Sequence, residues 1–587
     1  MNLLHENIKR DLAGLLQTGL KALGAEESVE SLYGLLSPAP SIEMGQMAFP
    51  LFTFARSLRS APAKLAAELA AALPANDLVH RVTPSGPYLN FVLRTERWTE
   101  EVMQPILNGG FFKRPLTKST PRTMIEYSQP NTHKEMHVGH MRNLALGDAL
   151  IRMHRYAGYD IVAATFPGDV GTHVAKCLWY MKFVNREPAP AEDKGTWLGR
   201  MYVEANGLIH RIEGTPDGEE ARARMTEILH QLEAGKGEYH DLWRETRSWS
   251  IALMEEVYRW ANVKFDAWYW ESDVDAPSMA YAREMMAKGV LTESKGAIGM
   301  DLTDVDPNLG FAMFIKSDGT GLYLTKDVEL ARRKFEENGI ESSIYVVDVR
   351  QAHHFRQVFA VLKRMGWKQA DNCHHLHYEY VEGKEGMFSS RLGNAVPLFD
   401  LIHQMEAVVY TKHLAGQVNG GVMDAPEGHE IATVVSRGAI KYGMVRIDPG
   451  KKITFDMDEW TEIQGDSGPY QQYTYARIQS LLKKQGYDPD GPLDPSRLED
   501  PRELELLVKA GQFNDQVLIA TQQYRPNVLT SYLYDIAKVY NNWNNTSIIR
   551  DIADPVAKNT KMHLTRMVAE VIREGLGLLG IEVPARM

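Results

Sequence analysis

The pattern that most restricts the fold is a short β-prone run followed by a loop, a helix and a second β-prone run. TMIEYS (123–128) precedes such a loop, and MRNLALGDALIRMHRYAGY (141–159) has helical spacing, with Gly158 where a helix C-terminus is expected. DIVAATF (160–166) is then predicted to be the second strand. The pattern recurs where SSIYVVDV (342–349) leads into a helix that ends at Gly366. Two such units predict a doubly wound parallel sheet.

The 587 residues exceed what one hydrophobic core organises, so several domains are expected. Residues 1–115 combine helical runs such as APAKLAAELAAAL (61–73) with the strand-like GPYLNFVL (86–93) and predict an α+β domain. The remaining predicted parts are the sheet domain over 116–380 with a helical insertion at about 174–262, a connecting helical segment over 381–465, and an all-α domain over 466–587.

Composition excludes several classes of protein. No run of about 18 apolar residues occurs and the first residues carry several charges, so we expect a cytoplasmic protein without a membrane span or signal peptide. The two cysteines, Cys177 and Cys373, are far apart, which argues against a disulfide framework and a thiolate zinc site. The net charge of -11 argues mildly against nucleic acid, although 65 basic residues leave room for a local basic face.

NTHKEMHVGH (131–140) concentrates histidines at a predicted strand-to-helix junction, where α/β proteins bind ligands. A helix N-terminus there offers free N–H groups to a phosphate, and Gly139 permits close approach. His137 and His140 can donate hydrogen bonds to oxygens that gain charge during phosphoryl chemistry. With 19 histidines and 46 glycines, H-x-G-H is expected by chance roughly 0.05 times. The alternative is a plain helix cap, and His133 is expected to be a solvated loop residue.

Several segments carry a resemblance to a known family. IEYSQPNTHKEMHVGHMRN (125–143) resembles the signature of class I aminoacyl-tRNA synthetases, and within them of the arginyl enzymes. The other similar segments are GDVGTH (168–173), SDGTGLYLTKDVELA (317–331), YVVDVRQAHHFRQVF (345–359), SGPYQQYTYARI (467–478) and GLLGIEVPARM (577–587). They span nearly the whole chain in the family's order.

The resemblance implies a Rossmann-like catalytic domain and the ATP-dependent attachment of L-arginine to tRNA(Arg) through an arginyl-adenylate. The implied cofactors are ATP and Mg²⁺, and the chain is expected to act as a monomer. The implied arginine pocket uses Tyr323 and Asp327, four apart on one helix face, with Glu126. The resemblance adds Ser128, Asn131 and Gln351 near the amino acid's α-amino and carboxylate groups. The alternative for Tyr323 and Asp327 is an exposed tyrosine and a capping aspartate.

The implied ATP site comprises His137, Gly139, His140, His354, Ser389 and Ser390. One departure concerns the second signature of class I enzymes, KMSKS, since GMFSSRLGN (386–394) has Met387 and Ser390 at the lysine positions. Arg391 is the remaining cation in that stretch, and Lys134 resembles the residue thought to replace the missing lysine. The catalytic set implied by the resemblance is Lys134, His137, His140 and Arg391.

The resemblance also places anticodon contacts in the last domain. The residues that supply aromatic faces and positive charge there are Tyr470, Tyr473, Arg477, Tyr532, Tyr540 and Trp543, and the terminal Met587 joins them. Core packing is the alternative for the aromatic residues. Two other functions stay open at this point: a catalytically weakened tRNA-binding paralogue, and an HxGH-type nucleotidylyltransferase.

Overall fold

A computed structural model describes residues 4–41, 44–113, 115–383, 386–387 and 396–587. Its N-terminal part is an antiparallel four-stranded sheet packed against helices, with strand order β1-β2-β4-β3. The strands are β1 (Ser37–Pro38), β2 (Met47–Pro50), β3 (Val79–Ser85) and β4 (Tyr88–Leu93). The helices are α1 (Leu4–Ala22), α2 (Val29–Leu35), α3 (Pro62–Ala72), α4 (Thr95–Trp98) and α5 (Gln104–Leu107). The predicted helix and strand of this region correspond to α3 and β4.

The central sheet is parallel, and this confirms the predicted fold class. Its strands are β5 (Thr123–Glu126), β6 (Ile161–Thr165), β7 (Ala267–Trp268), β11 (Ser342–Asp348) and β12 (Cys373–Tyr378), in the order β12-β11-β5-β6-β7. The chain builds outwards from β5 in one direction and from β11 in the other. The switch point between these two strands is therefore where an open α/β sheet leaves a crevice.

Helices pack around this sheet, and several of them form the segment of chain between β6 and β7. The helices of this central region are α6 (Val138–Ala157), α7 (Thr172–Trp179), α8 (Lys194–Ile212), α9 (Pro216–Glu233), α10 (Glu238–Trp260), α11 (Glu271–Ala287), α12 (Tyr323–Asn338) and α13 (Ala352–Arg364). A separate antiparallel sheet, β10-β9-β8, consists of β8 (Thr292–Ser294), β9 (Ala297–Asp301) and β10 (Phe311–Ile315). The predicted insertion corresponds to α7–α10, and Gly158 closes α6 with φ 95°.

A small sheet and a helical bundle complete the chain. The sheet, ordered β14-β13-β15, contains β13 (Val381–Gly383), β14 (Gly386–Met387) and β15 (Ile453–Thr454). The helices are α14 (Leu398–Val409), α15 (Ala415–Asn419), α16 (Ala425–Val445), α17 (Met457–Trp460), α18 (Gly468–Gln485), α19 (Pro501–Gly511), α20 (Phe513–Gln522), α21 (Pro526–Thr546) and α22 (Pro555–Leu578). Among the described residues, no helix combines the length and apolar character needed to cross a membrane.

Helix α6 connects the sheet to the C-terminal bundle. Its side chains are buried along most of its length, and it contacts β11 on one side and α16, α20 and α22 on others. A buried ion pair fixes this junction, because Lys441 Nζ on α16 lies 2.8 Å from Asp148 Oδ2 on α6. The same ammonium donates to the carbonyl of Gly580 at 3.0 Å. Helix α6 is therefore held between the central sheet and the C-terminal bundle.

Candidate active site

A cavity of about 700 Å³ opens at the carboxyl edge of the parallel sheet. Its lining comes from the segments that follow β5, β6, β11 and β12, together with the starts of α11 and α12. The volume suits a small ligand, and the position matches the crevice expected at the switch point of such a sheet. The predicted residues that line it are Glu126, Ser128, Asn131, Lys134, His137, Gly139, His140, Tyr323, Asp327, Gln351 and His354.

The two histidines of HVGH form a reciprocal cap at the start of α6. His137 is the N-cap, and its Nδ1 accepts from the N–H of Gly139 at 3.1 Å. His140 Nδ1 in turn accepts from the N–H of His137 at 3.1 Å. Since each Nδ1 accepts, the hydrogen of each neutral ring must lie on Nε2. The helix-cap alternative and the phosphate-site prediction are therefore compatible, because capping fixes both rings as Nε2 donors.

Both rings are held neutral. Burial, with a smaller contribution from the charge of Lys134, lowers the pKa of His137 to about 4. Burial also lowers the pKa of His140 well below its usual value, helped by His137 and Lys134. The ring centroids lie 4.0 Å apart. At neutral pH the pair thus presents hydrogen-bond donors without adding positive charge.

Lys134 and Glu135 lie between this cap and the helical insertion. The Lys134 ammonium lies 4.7 Å from the ring centroid of Tyr202 on α8. Burial, with a smaller contribution from the charge of Asp400, raises the pKa of Glu135 to about 7. Glu135 packs closely on α8, since a Cβ built on Gly199 would lie 3.0 Å from the Glu135 Cβ. The insertion therefore packs against the Lys134–Glu135 segment of the site through α8.

Two predicted guanidinium partners already bond to other side chains of the protein. Glu126 forms a buried ion pair with Lys334, and the Lys334 ammonium also lies 4.2 Å from the ring centroid of Tyr345. Asp327 forms an ion pair with His354 on α13. Burial disfavours the charged form of His354, but the hydrogen bond and charge of Asp327 outweigh it and raise the pKa of His354.

The other predicted amino-acid contacts occupy different environments. Tyr323 is the first residue of α12 and is 76% exposed at the cavity, and Gln351 is also exposed. Asn131 forms a backbone bridge with Gly168, which joins the loops after β5 and β6. Ser128 lines the cavity, but its hydroxyl lies 3.1 Å from that of Tyr258 and its N–H donates to Asn143. The polar groups of Ser128 are thus used inside the protein.

His133 corrects one prediction from the sequence. It is fully buried and not solvated, with φ 59°. Its N–H donates to Ser250 Oγ at 2.8 Å, and its ring nitrogens lie 2.9 Å from Thr132 Oγ1 and 2.8 Å from Thr246 Oγ1. Burial lowers the pKa of His133 to about 3. The residue joins the signature loop to α10.

Two residues of α6 shortly after HVGH support the site from inside the protein and were not predicted. Arg142 is buried and donates to four carbonyl groups in the segments around β13 and β15, the shortest bond being 2.8 Å to Lys451 O. Asn143 accepts from Ser128 N at 2.5 Å and donates to Val346 O at 2.8 Å, so it ties the ends of β5 and β11 together. Their place on the helix that carries HVGH was the available signal.

The predicted tRNA contacts divide by burial. Trp543 is completely buried and donates from Nε1 to Glu503 at 3.0 Å, so the prediction that it contacts tRNA is wrong. Tyr532 and Tyr540 are also buried, and the core-packing alternative holds for all three. The remaining candidates retain accessible surface: Tyr470, Tyr473, Arg477 and Met587.

Most of the KMSKS-like stretch lies outside the described residues. Ser389, Ser390 and Arg391 lie outside the described residues, and for Met387 only its place in β14 is described. In the described ranges no group of three or more His, Cys, Asp or Glu side chains could hold a metal ion. The two cysteines are free thiols, with Cys177 buried.

Comparison with known proteins agrees with this geometry. Residues 102–456, more than half of the chain, match the family described as class I tRNA synthetases (R), catalytic domain. Residues 2–93 match the arginyl-tRNA synthetase N-terminal domain, and residues 471–587 match the DALR anticodon-binding domain. The chain belongs to the arginyl-tRNA synthetase family. The predicted arginine–tRNA ligase is thereby confirmed, with tRNA and arginine as its substrates.

Individual relatives of the synthetase cover its whole length. The arginine–tRNA ligase of Bdellovibrio bacteriovorus is 48% identical over 99% of this chain and 100% of its own. That of Clostridium botulinum is 33% identical over 95% of this chain and 97% of its own. The solved arginyl-tRNA synthetase of Thermus thermophilus is 28% identical, with a TM-score of 0.77 over 99% of this chain and 100% of that one. Nothing here favours the paralogue or nucleotidylyltransferase alternatives.

Proposed function

We propose that the cavity holds ATP and arginine side by side and that the synthetase works in two steps. The carboxylate of arginine attacks the α-phosphorus of ATP, pyrophosphate leaves, and arginyl-adenylate forms. A terminal ribose hydroxyl of tRNA then attacks the acyl carbon, and AMP leaves. The observation that carries this proposal is that the capped histidine pair and Asp327 line the same cavity. The histidine pair supplies neutral hydrogen-bond donors for phosphate, and Asp327 supplies an anion for a guanidinium.

The phosphate end is assigned to the start of α6. His137 and His140 donate from Nε2 to ATP oxygens, Gly139 lets the backbone approach them, and the helix N-terminus adds its dipole. Lys134 balances charge that develops on the phosphates, because it is close enough to depress the pKa of both histidines. Ser389, Ser390 and Arg391, which lie outside the described residues, are also proposed to contact ATP.

The guanidinium end is assigned to the start of α12 and the end of β5. Asp327 is the principal anion, since the charge of Glu126 is already matched by buried Lys334. Tyr323 covers the pocket from its exposed position on the same helix face. His354, proposed from sequence as an ATP contact, bonds the same carboxylate that the substrate needs. Arginine is therefore proposed to share the Asp327 carboxylate with His354, which bonds one of its two oxygens.

The amino acid's α-ammonium and carboxylate are assigned to Asn131 and Gln351, which line the cavity between the two ends. Ser128 supports this pocket through its backbone. Magnesium is proposed to enter with the phosphates of ATP, because a protein-built cage is absent from the described part of the chain and Mg²⁺ commonly relies on phosphate and water ligands.

The tRNA is proposed to contact Tyr470, Tyr473, Arg477 and Met587 through its anticodon region. Met587 packs beside Tyr410 and Val418, next to α16. The domain boundaries predicted at 115, 380 and 465 are proposed as functional divisions. We also propose a cytoplasmic monomer that recognises tRNA(Arg).

The experiment is aminoacylation of tRNA with radiolabelled arginine by the full chain and by two lysine variants. Lys134→Ala is expected to lower kcat by about 10²–10³-fold, the usual effect of removing one group that stabilises transition-state charge. Lys194→Ala is the matched control, since Lys194 lies over Trp249 at 4.8 Å in the same insertion but does not line the cavity. Unaltered charging by Lys134→Ala would show that its proposed role is wrong.

A further inference from the structure

Helix α10 of the insertion presents one polar stripe to the loops of the cavity. Trp243, Thr246, Arg247, Ser250 and Tyr258 recur at spacings of three and four residues or their multiples, which places them on one helix face. Every one of them bonds to the segments after β5 or β6. These five side chains are called the α10 stripe below.

The stripe holds the loop after β6 through Asp169. This carboxylate is fully buried and accepts from Arg247 Nε at 2.6 Å and from Ser272 N and Oγ at 2.8 Å each. The backbone carbonyl of Asp169 accepts from Trp243 Nε1 at 2.7 Å. Arg247 is itself fixed, with its guanidinium 4.1 Å from the ring centroid of Trp270. The adjacent Gly168, which lines the cavity, therefore has a defined position.

The stripe holds the loop after β5 through His133. Thr246 Oγ1 donates to Leu242 O at 2.9 Å, so it accepts from His133 Nε2–H, and Thr132 supplies the donor for Nδ1. His133 has a left-handed backbone, which is unfavourable for a residue with a side chain and persists only where surrounding bonds hold it. The same loop carries Asn131, two residues before His133, and Lys134, directly after it.

The two loops are also bonded to each other. Thr132 N donates to Gly168 O at 2.8 Å, and Gly168 N donates to Pro130 O at 3.2 Å. Both loops are thus bonded to each other as well as to α10, although their strands are separated by α6 in the chain. Because a misplacement of about 1 Å can cost roughly 10²-fold in rate, the support of these loops matters for alignment of two substrates.

We propose that Thr246 and Arg247 are positioning residues: they act through His133 and Asp169 to set the loops that align arginine with ATP. The inference rests on the proposed use of the cavity. It predicts that loss of the stripe mainly lowers kcat, because both substrates still bind while their relative placement changes. Binding of tRNA to the C-terminal domain should be unaffected.

The test compares Thr246→Val with Thr246→Ser and with Thr226→Val in the full-length enzyme. Thr226 is an exposed threonine on α9 whose hydroxyl donates to Arg222 O at 3.0 Å, so its replacement removes the same kind of helix back-bond away from the site. We expect Thr246→Val to lower kcat for aminoacylation by 10- to 100-fold. Thr246→Ser should recover most of this rate, and the tRNA dissociation constant should change less than twofold.

Arg247→Met provides a second variant with a partly exposed side chain, and it should lower kcat in the same direction. The inference is overturned if both variants charge tRNA at the rate of Thr226→Val. It is also overturned if Thr246→Ser fails to restore the rate, or if tRNA binding falls in parallel with kcat. Failure of the wild-type chain itself to charge arginine would instead overturn the proposed function on which the inference rests.

Discussion

Replacing Asp327 by asparagine tests how the pocket recognises arginine. The change keeps the size of the side chain and removes its negative charge. Asp327 is about one-fifth exposed, so solvent screens it only in part. A hydrogen bond to a charged group contributes about 1.5–3 kcal/mol, and part of this is offset because arginine shares the carboxylate with His354. The net loss is expected near the lower limit, about 1.5–2 kcal/mol, or roughly 10- to 30-fold in arginine KM.

The assay is steady-state aminoacylation with arginine varied at saturating ATP, and then with ATP varied at saturating arginine. Asp327→Asn should raise the arginine KM and leave the ATP KM within about threefold. His354→Gln is the matched control, because both variants break the Asp327–His354 pair but only one removes the anion. Equal increases in arginine KM for the two variants would refute the reasoning, since the ion pair and not the charge of Asp327 would then matter.

Three further predictions follow from buried and capping groups. His140→Gln should retain a higher kcat than His140→Asn in the charging assay. Only the glutamine side chain is long enough to place an N–H donor where Nε2 of His140 lies. Lys441→Met should destabilise the fold by about 1.5–3 kcal/mol in denaturant unfolding, because buried Asp148 loses one of two cationic partners and keeps Arg152, and the double variant Lys441→Met with Asp148→Asn should recover part of it. His133 and His154 have folded pKa values of about 3 and 4, below the usual 6.5, so their neutral forms favour folding above pH 6.5. Stability should fall by about 1.4 kcal/mol per pH unit and residue as pH drops towards those values, and unchanged thermal midpoints between pH 7 and 5 would contradict this.

The sequence by itself determined what depends on near neighbours along the chain. Three of the five strands of the central sheet (β5, β6 and β11), the helix after HVGH and its end at Gly158 follow from side-chain periodicity and from backbone preferences of single residues. The histidine cap is equally local, because its partners are two and three residues apart. Order along the chain also sufficed for the fold class, since the rules for parallel sheets leave few arrangements.

Only the tertiary structure decided which groups are buried, neutralised or already bonded. His133 is buried against Thr246, which lies 113 residues further along the chain. The charge of Glu126 is matched by Lys334 at a separation of 208 residues. Trp543 is a core residue whose indole N–H donates to Glu503, 40 residues earlier in the chain. Periodicity reports which face of a helix a residue occupies but not what packs against that face. Burial and charge pairing depend on distant partners, so they require the folded chain.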